Sequence, residues 1–255
     1  MLMELFLFVA GFLAGAINAL AGGGSFILLP ALMVAGVPPV LANASNTYAS
    51  MPGYVSGAAG YWKSIAAHRH RLIAYSLVSL VFGYLGAELL LVVSDEAFAA
   101  IVPWMMLVAV LLFVFGSRIS GWMRAVSSRH ARAKWAGAAL VWLFLAGVCT
   151  YGGFFNAGLG ILLLAFLATA GFDDIHAMNG LKLWISALVA LVAVARFALS
   201  GAIDWHYGTI ALAGATIGGY VAARYAYHVP ARALRIAIII YGAAVTVYFF
   251  WVTPG

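Results

Sequence analysis

Asn18-Ala-Leu-Ala-Gly22-Gly23-Gly24-Ser25 sits inside an apolar run that extends from residue 5 to residue 36. As one helix that run would be about 50 Å long, against a bilayer core of about 30 Å. The glycines resolve the mismatch, because they allow backbone conformations that end a helix. The stretch reads as a helix that stops, exposes backbone amides and restarts, with Ser25 as N-cap. Irregular backbone at membrane depth survives only where it is buried in protein or lines a cavity.

The rest of the chain fits that setting. Of its 255 residues 66% are hydrophobic and 8% charged, whereas soluble domains carry about 25% charged residues. So few charges could not cover a water-exposed surface of this size. Further apolar runs fall at 41–62, 72–93, 98–116, 136–170, 176–199, 206–223 and 233–252. The fold class expected is an all-α polytopic membrane protein. The N-terminus, Met1-Leu2-Met3-Glu4, lacks the basic segment of a cleaved signal peptide, so the first run is kept in the fold. A single cysteine, Cys149, excludes an intrachain disulfide and reads as a small apolar core residue.

Run 136–170 is also too long for one crossing, and glycines interrupt it at Gly152-Gly153 and at Gly158-Leu159-Gly160. Segment Ala14 to Pro30 parallels Ala146 to Leu164. Each places an Asn (Asn18, Asn156) before a Gly-x-Gly (Gly22 to Gly24, Gly158 to Gly160), then an aliphatic run and a glycine (Gly36, Gly171). An Asn-bearing helix start follows (Asn46, Asn179), and later a Gly-rich helix (Gly83 and Gly86, Gly214 and Gly218). The expected organisation is a first membrane repeat over 1–120, a basic cytoplasmic linker over 121–134 and a second repeat over 135–255. Two repeats in one membrane domain are the pattern of secondary transporters.

Net charge is +6, and eleven of the thirteen Lys and Arg residues fall in segments 62–72, 117–135 and 224–235. Short basic loops between apolar runs point to the positive-inside rule, not to nucleic acid. If each long run crosses once, the third basic segment lies outside. If both long runs are re-entrant hairpins, all three lie in the cytoplasm and the repeats are inverted. The second arrangement is preferred.

The chemistry expected is anion binding. A half-helix N-terminus carries free N–H donors and about half a positive charge. Two such ends, at Gly22, Gly23, Gly24 and Ser25 and at Gly152, Gly153, Gly158 and Gly160, would frame one small anion. The alternative use of these glycines is close helix packing. Lys182, several residues inside an apolar run, would balance the anion's charge, since an intramembrane lysine is costly and marks function by default. Its alternative is snorkelling to the interface. Asn18, Asn46, Thr47, Asn156 and Asn179 would hydrogen-bond the ligand. Asn43, Ser45 and Ser50 complete a polar patch at a helix start, which could equally cap the helix or join it to a neighbour. Arg196, near Asp204, and Glu88 read as interfacial anchors. Gly11 and Gly15, Gly53 and Gly57, and Gly214 and Gly218 read as packing pairs. The six histidines lack metal-ligand spacing, and no catalytic constellation or phosphate-binding loop is present. No metal, cofactor or enzymatic activity is therefore expected. The lipid bilayer is a partner, and a coupling ion (proton or sodium) and a homodimer are admitted. The rival reading is a passive anion channel or scaffold without alternating access.

From Gly15-Ala-Ile-Asn18 through Gly22-Gly23-Gly24-Ser25-Phe-Ile-Leu-Leu-Pro30 to Gly36-Val-Pro38, the chain resembles the TauE/SafE sulfite exporter family. Ala42-Asn-Ala-Ser-Asn46-Thr47, Gly152-Gly153-Phe154-Phe155 with Gly158 and Gly160, and Ser200-Gly201-Ala-Ile-Asp204-Trp205 extend the likeness over both repeats. The resemblance implies a permease of the cell inner membrane for sulfite, sulfoacetate or a related organosulfur or carboxylate anion, usually moved outward. Ser25 stands where a further glycine is common in that family.

Overall fold

The computed structural model describes residues 1–129, 134–225 and 231–252. Eleven helices carry them: α1 (Leu2–Ala21), α2 (Ser25–Val34), α3 (Pro39–Gly60), α4 (Trp62–Ala66), α5 (Arg69–Leu91), α6 (Asp95–Arg129), α7 (Lys134–Phe154), α8 (Leu159–Thr169), α9 (Ile175–Leu199), α10 (Trp205–Tyr225) and α11 (Ala231–Val252). Each apolar run of the sequence becomes one helix, except the two long runs, which each become two. The basic segments are more helical than loops would be. Segment 62–72 holds α4, and α6 continues to Arg129, while 130–133 and 226–230 lie outside the described residues. Four helical stretches are long and apolar enough to cross a bilayer: Leu2–Leu20, Arg69–Leu91, Asp95–Gly116 and Ile175–Leu199. The shorter apolar helices include α2 and α8.

At both breaks the chain reverses. A β-carbon on Gly24 would overlap the Ala14 carbonyl oxygen, ten residues back, which requires α2 to lie alongside α1. In the second long run Gly152 faces the Leu159 side chain, and the Tyr151 hydroxyl donates to the Ala157 carbonyl at 2.6 Å. Gly22 ends α1 with φ 81° and Gly158 starts α8 with φ 81°. Side chains rarely adopt that left-handed region. Gly36 (φ 87°) and Gly171 (φ 85°) repeat the device after the return helices.

Each hairpin is held by a long helix from the other half of the chain. α1 packs on α10 and α7 on α5, while α3 and α9 meet, α8 lies on α6 and α2 on α11. The glycines make the first two contacts close. β-Carbons on Gly11 and Gly15 would overlap the Ala211 and Ala215 carbonyl oxygens, and on Gly214 and Gly218 those of Phe8 and Phe12. Small residues let backbones approach in this way in lipid. Gly57 packs on Leu183, but Gly53 has open space where its β-carbon would be, so that pair is not a packing motif along its whole length.

Polar contacts sort the loops into two ends. Glu4 meets His206, the Asp204 N–H donates to Ser45 Oγ, and the Val40 N–H donates to Asp95 Oδ1. The starts of α1, α3, α6 and α10 therefore share one end. At the other end Arg71 donates to the Ala170 carbonyl and stands 4.9 Å over the Phe172 ring, while Tyr61 faces His176. The basic segment 62–72 and the loop holding Asp173 and Asp174 thus lie together. Arg196 does not pair with Asp204. It makes a two-pronged bond to Glu88, Nε to Oε1 at 2.5 Å and Nη2 to Oε2 at 3.0 Å, joining α9 to α5. Asp204 instead caps α10 by accepting from the Tyr207 N–H.

Candidate functional site

The tips of the two hairpins meet around the polar face of α3. Asn43, Asn46 and Thr47 are each at most 2% exposed, and a helical spacing of three or four residues puts Asn43, Asn46 and Thr47 on neighbouring rows of one side. Asn46 Nδ2 donates to Ser25 Oγ at 3.2 Å, reaching the first hairpin. Asn43 Nδ2 donates to the Phe154 carbonyl at 2.8 Å, reaching the second. Thr47 Oγ1 donates to the Asn43 carbonyl at 3.1 Å. Two turns further along α3, the Tyr54 hydroxyl donates to Asn156 Oδ1 at 3.1 Å, and the Asn18 side chain approaches the same hydroxyl. One tyrosine therefore collects the asparagine that precedes each Gly-x-Gly.

Both tips leave backbone donors free. In the first, the Phe26 and Ile27 amides turn back to the Gly23 and Gly24 carbonyls. Among the described residues, the amides of Gly23, Gly24 and Ser25 have no partner. In the second, the Ile161 amide bonds Gly158 and the Leu159 amide bonds Asn156. The amides of Asn156, Ala157, Gly158 and Gly160 are left without a partner among the described residues. Open donors at a helix start form an anion site.

Three sequence expectations are corrected by this geometry. Ser25 is not the N-cap of α2; Gly24 holds that position, and the Ser25 hydroxyl serves Asn46. Gly152 and Gly153 do not break the chain. Both lie within α7, where a β-carbon on Gly153 would overlap the Gly83 carbonyl oxygen of α5. Their role is close approach, and the break falls only at residues 155–158. Third, Asn179 corresponds by position to Asn43 and not to Asn46. α3 begins at Pro39 and α9 at Ile175, so Asn43 and Asn179 are each the fifth residue of their helix. Asn46 and Lys182 are then each the eighth.

That last correspondence places Lys182. Its stem runs past Gly160, with Cδ 3.5 Å from where a β-carbon would stand. Its ammonium donates to Asn179 Oδ1 at 3.3 Å. Lys182 thus stands at the start of α8 as Asn46 stands at the start of α2, one cationic and one neutral. Among the described residues no carboxylate pairs with it. Asn18, Gly22, Gly23, Gly24, Ser25, Asn46, Thr47, Asn156, Gly158, Gly160, Asn179 and Lys182 all lie at or beside the two tips. Cys149 lies apart, buried against Ser79 of α5. An apolar groove of about 520 Å³ between α1, α2 and α11, lined by Leu13, Ile17, Phe26 and Ile238 among others, has Tyr241 and Tyr248 at its wall but no charged side chain to hold an anion.

Tyr54 and Asn43 carry more of the site than their sequence signals indicate. Tyr54 looks like one more aromatic in an apolar helix, and only its two asparagine neighbours, both distant in sequence, reveal its place. Asn43 was visible as part of a polar patch, but its partner lies 111 residues away.

The chain is thus a multi-pass helical membrane protein whose two reversing hairpins converge on a polar centre, the architecture in which transporters bind solutes. Residues 7–249 match the family model described as "Sulfite exporter TauE/SafE", so the chain belongs to the TauE/SafE family of membrane transporters. It is 28% identical to the probable membrane transporter protein ORF9 of Sinorhizobium sp over 95% of this chain and 90% of that one. A probable membrane transporter protein of Haemophilus influenzae is 30% identical over 86% of this chain and 83% of its own. The probable membrane transporter protein YfcA of Escherichia coli (strain K12) is 26% identical over 98% of this chain and 90% of its own. No solved structure matches the chain.

Proposed function

We propose that this transporter is a secondary permease of the inner membrane that moves a small anion outward: sulfite, sulfoacetate or a related organosulfur or carboxylate compound. The observation that carries the reading is the convergence of two sets of unpartnered helix-start amides beside Lys182, a cation with no carboxylate partner among the described residues. An anion between the tips would satisfy both. The unpartnered Asn156 Nδ2, the second N–H of Asn46 and the Asn18 side chain would complete its hydrogen bonds, Thr47 would donate to it on turning from the Asn43 carbonyl, and Tyr54 would hold the two tips in register.

The two halves are read as inverted repeats. Left-handed glycines recur at matching points (Gly22 and Gly158, Gly36 and Gly171), and α1 on α10 mirrors α7 on α5. Inverted repeats would rock about the central α3 and α9 contact to open the site to either side. The basic segment 62–72 marks the cytoplasmic end by the positive-inside rule.

The test is thermal unfolding of the detergent-purified protein with sulfite, sulfoacetate, thiosulfate, sulfate and short carboxylates, followed by counterflow in proteoliposomes. Stabilisation by a bound ligand reaches about 2.7 kcal/mol at a hundredfold excess over Kd. One anion should raise the midpoint in wild type and fail to do so in Lys182→Met, and that anion should exchange in counterflow. No response to any anion would remove this reading. Anion flux that neither saturates nor exchanges would instead favour a channel.

A further inference from the structure

The amide orientation of Asn43 is fixed by chemistry. A backbone carbonyl only accepts, so the nitrogen must face Phe154 and the oxygen must face away. That oxygen is buried and has no partner. One turn along, on the same side of α3, the Asn46 oxygen is also buried and without a partner. Both residues are 1% exposed. A bare buried acceptor costs about 1–3 kcal/mol, and two within one turn of α3 mark a place where something that attracts oxygen belongs.

An anion does not fit there, because amide oxygens repel it. Asn43 also abuts the end of α7, and a helix C-terminus carries about half a negative charge. Among the described residues no amide reaches the Gly152 or Gly153 carbonyls, since the Phe155 amide takes Tyr151. The neighbouring carboxylates are occupied elsewhere, Asp95 on the Val40 N–H and Asp204 on the Tyr207 N–H. The oxygens on offer are therefore neutral. Calcium and magnesium sites draw on carboxylates, whereas transporters hold sodium with unwound carbonyls and half-helix C-termini.

We propose that Asn43 and Asn46, with the carbonyl end of α7, form a site for a dehydrated monovalent cation, sodium, between the end of α7 that Asn43 reaches and the start of α2 that Asn46 reaches. Each tip joins a helix end rich in carbonyls to a helix start rich in amides, so cation and anion would bind close together with their charges offset. That they are carried together rests on the transport reading above. The cation site itself does not.

The experiment is thermal unfolding of the full chain in detergent without any candidate anion, with sodium chloride exchanged for choline chloride at constant ionic strength. Sodium should raise the midpoint in a saturable way in wild type, and the rise should vanish in Asn43→Ala and Asn46→Ala. In Asn46→Asp, nearly the same shape with a negative charge and with the Ser25 hydroxyl able to turn and donate to it, half-saturation should fall to a several-fold lower sodium concentration. The Asp variant decides the matter if an Ala variant does not fold. Equal midpoints in sodium and choline would overturn the site and leave a buried water or a donor group of the solute on these oxygens. A sodium response unchanged in all three variants would place the ion elsewhere. A sodium response with no response to any anion would keep this site and reject the anion reading; the converse would do the reverse.

Discussion

Tyr54 on α3 donates its hydroxyl to Oδ1 of Asn156, 102 residues away at the tip of the second hairpin, at 3.1 Å. The Asn18 side chain approaches the same hydroxyl from the first hairpin. Asn156 is 4% exposed and its Nδ2 already lacks a partner. Tyr54→Phe keeps the ring and removes the bond, leaving both polar ends of Asn156 bare. Unpaired buried groups cost about 1–3 kcal/mol, so the unfolding midpoint should drop by that equivalent. Anion-induced stabilisation should weaken further than the fold does, because the tips lose their common tie. Unchanged anion response in Tyr54→Phe would make Tyr54 a packing residue only.

The glycines of the α5 and α7 contact and those of α3 predict opposite outcomes for the same substitution. A β-carbon on Gly153 would collide with the Gly83 carbonyl, a backbone atom that cannot swing aside. Gly153→Ala should therefore cost about 1–3 kcal/mol, the range for overpacking. Gly53 meets nothing within 4 Å and lies within a helix, where Ala is favoured over Gly by up to about 1 kcal/mol. Gly53→Ala should be neutral or stabilising. The comparison is made by thermal unfolding of both variants in one detergent, and equal losses would contradict the assigned contacts.

These two glycines also show where the sequence was legible. Length and hydropathy alone place the helices, because a bilayer admits little else, and the two overlong runs demand a break each. Gly22 and Gly158 are recognisable because only they combine a preceding Asn with a following glycine at the start of an aliphatic run. Gly152 and Gly153 mislead because a glycine pair has two uses, ending a helix or admitting a neighbour. The choice between them depends on α5, about 70 residues upstream in sequence. Sequence spacing alone pairs Asn46 with Asn179, because α3 carries two asparagines three residues apart, whereas the helix starts put Asn43 and Asn179 at the same position of their helices. The partners of Tyr54, Asn43 and Arg196 lie 102, 111 and 108 residues off, beyond any local pattern.

Asp174 gives stability a defined dependence on pH. It caps α9 by accepting from the Ala177 and His176 amides at 3.0 and 3.2 Å. Those bonds, the Ala177 amide foremost, hold its carboxyl below the ordinary range. A depressed folded value means that the cap stabilises fully above the unfolded value of about 3.9 and fades as pH falls through the lower folded one. Wild type should unfold at a higher temperature than Asp174→Ala at neutral pH, and the gap should close on acidification below about pH 4. A gap that does not change with pH would mean that the cap works without its charge.

Glu88 and Arg196 tie α5 to α9 by two hydrogen bonds from one guanidinium, near the end where both helices finish. Both side chains are partly exposed, 30% and 26%, so water at the membrane surface can serve either of them alone. The pair differs in this from a fully buried one, where removing a partner strands a charge in low dielectric. Each single substitution, Glu88→Gln or Arg196→Gln, should lower the unfolding midpoint, and the double variant should lose less than the two singles combined. That shortfall is the interaction itself, isolated by the cycle. Salt should shrink it only modestly if the paired geometry persists, since a two-pronged Arg–carboxylate contact fixes direction as well as charge. Strict additivity would show that the two residues act only as separate anchors at the lipid headgroups.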